Sequence, residues 1–86
     1  MFYQMIYHKE VSQTLLLDKI DARILTYLRT EDWPVTTEMV AKALTVSWNT
    51  AQLHLYKLLS DNFVKFKRVG RQNQWMITEK GRKSLK

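Results

Sequence analysis

The sequence predicts an α+β protein that is mostly α, with a three-helix core, a β-hairpin and a short C-terminal helix. Apolar residues recur at helical spacing up to Asn62, and beyond it they recur at a spacing of about two. The stretch GRQNQ, at 70–74, has the glycine and polar residues of a turn and separates two strand-like segments. With 86 residues and a 45% hydrophobic content, the chain has the size and composition of one small globular domain.

The first helix is predicted over residues 18–30. Asp18 is its expected N-cap, and Asp21 stands three residues later in the capping-box position. We expect these two carboxylates to serve only in capping and to be solvated. The segment TEDWPV ends the helix, because Pro34 lacks an N–H group and restricts Trp33 to extended geometry.

Two further helices follow, joined by the tight connection TVS. Thr36 is the expected N-cap of the second helix, and Ser47 caps the third, which ends near Asn62. Asparagine tolerates the left-handed conformation that terminates many helices. The residues expected to form the core of the domain are Ile20, Ile24, Leu28, Val40, Leu44, Leu55, Leu58, Phe63 and Ile77.

The hairpin is predicted from the segments FVKFKRV and WMIT on either side of GRQNQ. Its basic side chains lie on the first strand and at the tip, and we expect Trp75 to hold the hairpin against the core. Thr78 is the expected N-cap of a final helix, EKGRKSLK, which Gly81 should weaken.

Positive charge is concentrated at the C-terminal end. Residues 57–86 carry nine basic and two acidic side chains, whereas residues 1–56 carry five basic and six acidic ones. A domain with one basic end is typical of a polyanion-binding protein, the alternative being a charged face kept for solubility. Because the chain has no cysteine, disulfides and thiolate metal sites are excluded. No apolar run approaches the roughly 18 residues of a membrane span, and the N-terminus does not resemble a secretory signal, so we expect a cytoplasmic protein.

Residues 1–17 are predicted to be an extension that the core of the domain does not require. The segment MFYQMIYHKE is rich in aromatic and apolar residues, and the run at 15–17 adds three leucines. Surplus apolar surface of this kind usually marks an interface, so we expect a homodimer assembled through residues 1–17 and the first helix. The alternative is that the extension folds back over the first helix of its own chain.

The order of these elements, with TVSWNTAQLHLYKLLSDNFV leading into KRVGRQNQWMITEKGRKSL, resembles the winged helix-turn-helix family of DNA-binding transcription regulators. It is most similar to small archaeal and bacterial regulators of MarR-like or PadR-like type, over residues 18–86. It departs from them at Asn62, where the family usually has glycine, and at Leu53, a position that is often basic. The resemblance implies a sequence-specific regulator of double-stranded DNA, acting as a repressor. Helix 47–62 would then occupy the major groove, and the wing 64–77 would contact the backbone or the minor groove.

The third helix also has an outward face whose residue types fit this role. Asn49 and Gln52 would pair bidentately with adenine, and Leu53 would pack on a thymine methyl group. Contacts to phosphates, which set register but not sequence, are expected from Thr36, Ser47, Tyr56 and Lys57. Arg71 is the best candidate to enter a minor groove. The complete set expected at the DNA is Thr36, Ser47, Trp48, Asn49, Thr50, Gln52, Leu53, Tyr56, Lys57, Lys65, Lys67, Arg68, Arg71, Gln72 and Asn73.

Other functions fit the sequence less well. A protein-interaction module of this fold would use residues 1–17 and the outer face of the third helix, but it would not need a basic wing. Winged helices that bind left-handed nucleic acid share the spacing of Gln52, Tyr56 and Trp75, but two of their signature elements are replaced here. His54 is expected to be a packed histidine, and two histidines without cysteine make no metal site. Since no nucleophile–base pair or glycine-rich phosphate loop is present, we expect no enzyme activity. Because 86 residues are too few for a separate effector domain, we also expect no cofactor and no small-molecule ligand.

Overall fold

The computed structural model describes residues 18–85. The predicted extension over residues 1–17, with its expected part in dimerisation, lies outside the described residues. The elements are α1 (Lys19–Thr30), β1 (Val35–Thr36), α2 (Thr37–Leu44), α3 (Trp48–Ser60), β2 (Val64–Val69), β3 (Gln72–Ile77) and α4 (Glu79–Lys83). The strands form one antiparallel sheet in the order β1-β3-β2. The predicted α+β class, with three helices, a hairpin and a short last helix, is confirmed.

All four predicted N-caps form. In each, a side-chain oxygen accepts a hydrogen bond from the backbone N–H three residues later, which satisfies one of the donors left unpaired at a helix start. The α3 helix also ends as predicted, because Asn62 adopts a left-handed φ of 66°. The capping residues are Asp18, Thr36, Ser47 and Thr78.

The core lies between the three long helices and one face of the sheet. Trp75 is its largest fully buried side chain, so the prediction that this residue holds the hairpin against the core is confirmed. Ile20 and Phe63, which were expected inside, are only partly buried at the edge of the cluster. The buried apolar residues that the sequence prediction missed are Leu25, Val35 and Val64.

The short strand β1 was predicted only as an extended segment. Val35 pairs with Trp75 and Thr36 with Gln74, which adds a third strand to the hairpin. A two-residue strand is too short to show a period of two in the sequence, so its pairing could not be predicted. Since α2 starts directly after β1, this pairing fixes the start of α2 against the wing.

The wing has a longer second strand than predicted. Gln72, Asn73 and Gln74 were placed in the turn, but they belong to β3 and pair with Val69, Arg68 and Lys67. The turn itself consists of Gly70 and Arg71, with Gly70 at a φ of 63°. Two-residue turns with positive φ match the twist of a hairpin, which explains why the strands extend so far toward the tip.

Gly81 has a different role from the predicted one. It is buried in α4, and a Cβ atom there would overlap the Phe63 carbonyl oxygen and lie 2.8 Å from Ile77 Cγ1. The residue therefore allows α4 to pack closely against the base of the wing. Within residues 18–85, no helix is long and apolar enough to cross a membrane.

Candidate nucleic-acid interface

The outer face of α3 is apolar and exposed. Trp48 is 51% exposed, Leu53 68% and Tyr56 45%, whereas Ala51, Leu55 and Leu58 on the opposite face are buried. Large apolar side chains are costly to leave in water. The three side chains thus form an exposed surface adjoining the start of the helix, where Asn49 is also exposed.

A groove separates this face of α3 from the wing, and we call it the α3–wing groove. Its floor is the start of α2, and its far wall is the tip of the wing. Two of its lining residues, Thr37 and Glu38, were not among the predicted site residues. Those that were predicted are Thr36, Trp48, Gln52, Tyr56, Arg68, Arg71, Gln72 and Asn73. The structure therefore brings these eight together, although they come from three separate parts of the chain.

A hydrogen-bond chain forms part of the groove wall. Trp75 Nε1 donates to Thr37 Oγ1 at 2.9 Å, and Thr37 Oγ1 donates to Gln52 Oε1 at 3.1 Å. Thr37 is 5% exposed, although it is the first residue of a helix, where threonine commonly faces solvent. Its partners are 38 and 15 residues away, so nothing local in the sequence indicated its position.

Aromatic contacts fix the wing to the outer face of α3. The ring of Tyr56 meets Trp75 edge-on with centroids 5.7 Å apart, and Phe66 lies 5.1 Å from Trp75 on the wing. Asn73 Nδ2 donates to the Tyr56 hydroxyl at 3.3 Å. Aromatic pairs of this geometry stabilise beyond their buried area, so α3 and the wing are held in one arrangement.

The basic residues of the wing lie on two different faces. In the register of the hairpin Phe66 is opposite Trp75 and Arg68 is opposite Asn73, which places Arg68 on the groove side. Lys65 is opposite Met76 and lines a different depression, beside Trp33. Because side chains alternate along a strand, Lys67 shares the face of Lys65. Of the predicted basic residues, only Arg68 and Arg71 lie along the groove.

Lys57 has a different position from the predicted one. Its Nζ lies 2.8 Å from Asp21 Oδ2 and 3.7 Å from Asp18 Oδ2, so the side chain is directed toward α1. Contact with the Asp21 carboxylate raises the pKa of Lys57. An acidic pair on the neighbouring helix therefore already engages the Lys57 charge, and the expected phosphate contact would have to compete with it.

Asp21 is likewise not the solvated capping residue that was predicted. It is fully buried, and its Oδ1 accepts a hydrogen bond from His54 Nδ1 at 2.7 Å. Only its backbone N–H takes part in capping; this donates to Asp18 and lowers the pKa of the Asp18 carboxyl. Three possible metal-ligand atoms, from Asp18, Asp21 and His54, lie within 4.8 Å of one another. The Lys57 ammonium already supplies the positive charge there, so we interpret the cluster as an ion-pair network between α1 and α3.

Two hydroxyls at the start of α3 are largely occupied by one another. Ser47 Oγ accepts from the Thr50 backbone N–H at 3.1 Å and donates to Thr50 Oγ1 at 3.0 Å. Asn49, between them, has no side-chain hydrogen bond within residues 18–85 and is exposed. Its amide is thus available to a ligand on the outer face.

No protein-family model and no curated protein matches this sequence. Solved structures do match. The chain is similar to MepR from S. aureus in complex with DNA, with a TM-score of 0.74 and 22% identity over 98% of this chain and 76% of that one. It is also similar to ZitR from Lactococcus lactis, a zinc-responsive MarR family member, with a TM-score of 0.72 and 26% identity over 80% of this chain and 49% of that one.

A third similar structure is the PcaV transcriptional regulator from Streptomyces coelicolor in complex with its natural ligand. Its TM-score is 0.74, with 14% identity over 94% of this chain and 64% of that one. The chain therefore spans less than two thirds of the length of PcaV or ZitR. These neighbours share the MarR-like winged helix-turn-helix fold, which is the fold that the sequence predicted for this chain. They do not support the predicted absence of a small-molecule ligand, because PcaV binds one.

Proposed function

We propose that this chain, which has a MarR-like winged helix-turn-helix fold, is a sequence-specific regulator of transcription that binds double-stranded DNA. The observation that carries the proposal is the pairing of an exposed outer face on α3 with two arginines across the α3–wing groove. A duplex offers apolar methyl groups in its major groove and phosphates along its edges, which match these two surfaces. MepR, a neighbour of the same fold, has been solved bound to DNA.

In this arrangement the first half of α3 lies in the major groove. Asn49 is exposed with an unengaged amide, and so can pair with adenine through both of its polar atoms. Leu53 is one turn further along the same face and can pack on a thymine methyl group. Trp48, in the first turn, would lie against the sugar-phosphate edge of the groove.

Phosphate contacts would come from the ends of the groove. Thr36 caps α2, whose positive end attracts an anion, and Ser47 and Thr50 stand at the start of α3. The Tyr56 hydroxyl accepts a hydrogen bond from Asn73, which leaves its own hydrogen free to donate to a phosphate oxygen. At the tip of the wing Arg68, Arg71 and Gln72 would follow the backbone toward the minor groove. Lys65 and Lys67, on the other wing face, would act mainly through long-range attraction.

Arg71→Ala should weaken binding to a preferred site and to random duplex DNA by a similar factor. It should also flatten the plot of log affinity against log salt by about one unit, because one phosphate-directed charge is lost. Fluorescence anisotropy with labelled duplexes at several salt concentrations measures both. Lys65→Ala is the matched control: the same charge is removed from the opposite wing face, and the slope should change less. Wild-type binding that does not weaken as salt rises would contradict the proposal.

A second candidate function is a protein-interaction module. The exposure of Leu53 and Trp48 favours it, because apolar side chains of this size also occur at protein interfaces. The two arginines across the groove argue against it, since an apolar partner surface would leave them without a role.

We further propose that regulation takes the form of repression in the cytoplasm, by occupation of a DNA site.

We also propose that the protein acts as a homodimer through residues 1–17 and α1. One recognition helix contacts only a few base pairs, and two helices about one duplex turn apart are needed for useful selectivity. Light scattering of the full chain at tens of micromolar should give twice the monomer mass, and a chain beginning at Asp18 should give a folded monomer. A full chain that is monomeric under these conditions would exclude the dimer.

A further inference from the structure

We infer that Gln52 presents only hydrogen-bond donors to DNA and therefore selects a keto base, guanine or thymine, at the position it contacts. The inference rests on the proposed function and replaces the pairing with adenine that the sequence suggests for this residue. It follows from the direction of the hydrogen-bond chain that joins Trp75, Thr37 and Gln52.

The donor–acceptor direction of this hydrogen-bond chain is set at Trp75, its buried end. An indole N–H can only donate, so Thr37 Oγ1 accepts from Trp75 Nε1 at 2.9 Å. The Thr37 hydroxyl has one hydrogen of its own, and Gln52 Oε1 lies 3.1 Å away to receive it. Turning the amide around would place a second donor against this hydroxyl and deprive its hydrogen of that acceptor, at a residue only 5% exposed.

Because the Gln52 amide is planar, fixing the direction of its oxygen also fixes the direction of its nitrogen in the groove. With Oε1 directed at Thr37, Nε2 and its two hydrogens point away from Thr37, on the side where Gln52 lines the α3–wing groove. In the major groove guanine offers two acceptors, N7 and O6, and thymine offers one, O4. Adenine also has an acceptor at N7, but the amino group at N6 beside it donates, as does cytosine N4, so a group that only donates is matched better by a keto base. Bidentate pairing with adenine needs both polar atoms of the Gln52 amide on the base. The hydrogen bond to Thr37 holds one of them, Oε1, away from it.

Two substitutions change the group facing the base in different ways, and both should make adenine acceptable. Gln52→Glu keeps an acceptor for Thr37 but turns the group facing the base into an acceptor, which should favour adenine or cytosine. Thr37→Val removes the hydroxyl with little change of shape and frees Oε1, so adenine should become acceptable. Thr37→Ser is the matched control, because it keeps the hydroxyl and should keep the keto preference.

The experiment selects bound sequences from a random duplex pool with the full chain and with each variant, Gln52→Ala included. The wild type should select a keto base at one position, Gln52→Ala should lose that selection, and Gln52→Glu should reverse it. Competition between duplexes that differ only at that position should show a preference of about fivefold or more for the keto base in the wild type, as expected for one hydrogen bond. The preference should persist in Thr37→Ser and shrink in Thr37→Val.

The outcomes separate this inference from the proposed function. If the position that depends on Gln52 carries adenine in the wild type, or if no position responds to Gln52→Ala and Gln52→Glu, the inference is wrong although the protein still selects a DNA sequence. If no sequence is enriched and no duplex is bound, the proposed function is wrong and the inference with it. Circular dichroism checks that Thr37→Val folds. Should it not fold, the two Gln52 variants decide, because that side chain is only partly buried on the surface of α3.

Discussion

Asp21→Ala should lower the free energy of unfolding by about 3 kcal/mol, because it removes the fully buried carboxylate at the centre of an ion-pair network. Asp21 is fully buried, and it holds His54 at 2.7 Å and Lys57 at 2.8 Å. The Lys57 side chain is 38% exposed and can regain water, so we expect the lower end of the range for breaking a buried pair. Chemical denaturation followed by circular dichroism gives the difference.

The matched control for Asp21 is an exposed ion pair. Glu38 and Lys42, on α2, are 3.4 Å apart with side chains 63% and 75% exposed. Surface pairs one helical turn apart contribute only about 0.3–0.5 kcal/mol, so Lys42→Ala should change stability little. If Asp21→Ala lowers the free energy of unfolding by no more than Lys42→Ala does, the network does not hold α1 to α3. A double-mutant cycle with Lys57→Met would then show no coupling between the two residues.

Gly81→Ala should also destabilise the domain, by about 2–3 kcal/mol, the cost of overpacking a tight site. The added Cβ would overlap the Phe63 carbonyl oxygen, which accepts the Thr78 N–H at 3.1 Å, so the base of the wing would have to shift. Helix propensity alone predicts the opposite sign, because alanine is favoured over glycine in a helix by about 1 kcal/mol. The sign of the measured change therefore distinguishes a packing role from a weak helix.

Gly70→Ala is the comparison for Gly81. Nothing lies within 4 Å of a Cβ at Gly70, but its φ of 63° is strained for alanine. We expect a smaller loss of about 1 kcal/mol, from backbone strain alone. A thermal or chemical unfolding series on both variants gives the two values. A Gly81→Ala variant that is more stable than the wild type would contradict the close packing of α4 on the wing.

What the sequence predicted correctly depends on short-range relations. Asp18, Thr36, Ser47 and Thr78 each cap a helix through a backbone N–H three residues away, so their role is visible locally. The exposure of Trp48, Leu53 and Tyr56 follows from their positions opposite the buried stripe of α3. Periodicity and capping residues suffice for predictions of this kind.

What the sequence did not predict depends on partners that the fold brings together. In the sequence Asp21 has the features of a capping residue, and only the fold brings His54, 33 residues later, beside it. In the sequence Thr37 has the features of an ordinary first residue of a helix, and only the fold brings Trp75 of the wing within hydrogen-bond distance of it. In both cases the side chain is polar, buried and satisfied by a distant group, a combination that no local pattern encodes.

These missed residues also position the candidate site. The Asp21 network sets α3 against α1, and the contacts of Trp75 with Thr37, Tyr56 and Phe66 set α3 against the wing. The outer face of α3 and the wing are thereby held in one arrangement. A binding surface that is organised in advance loses less conformational freedom when the ligand arrives.

The most direct test of the proposed DNA-binding surface is an NMR titration of the ¹⁵N-labelled full chain with short duplex DNA at low salt. Amide shifts should concentrate in residues 47–56, at the N-cap and first turns of α3, and in residues 68–73 of the wing, with α4 (Glu79–Lys83) nearly unchanged. Raising the salt should reverse them, because phosphate contacts carry much of the affinity. Shifts confined to α1 and α4, or no shifts at all, would contradict the assignment of this face to DNA.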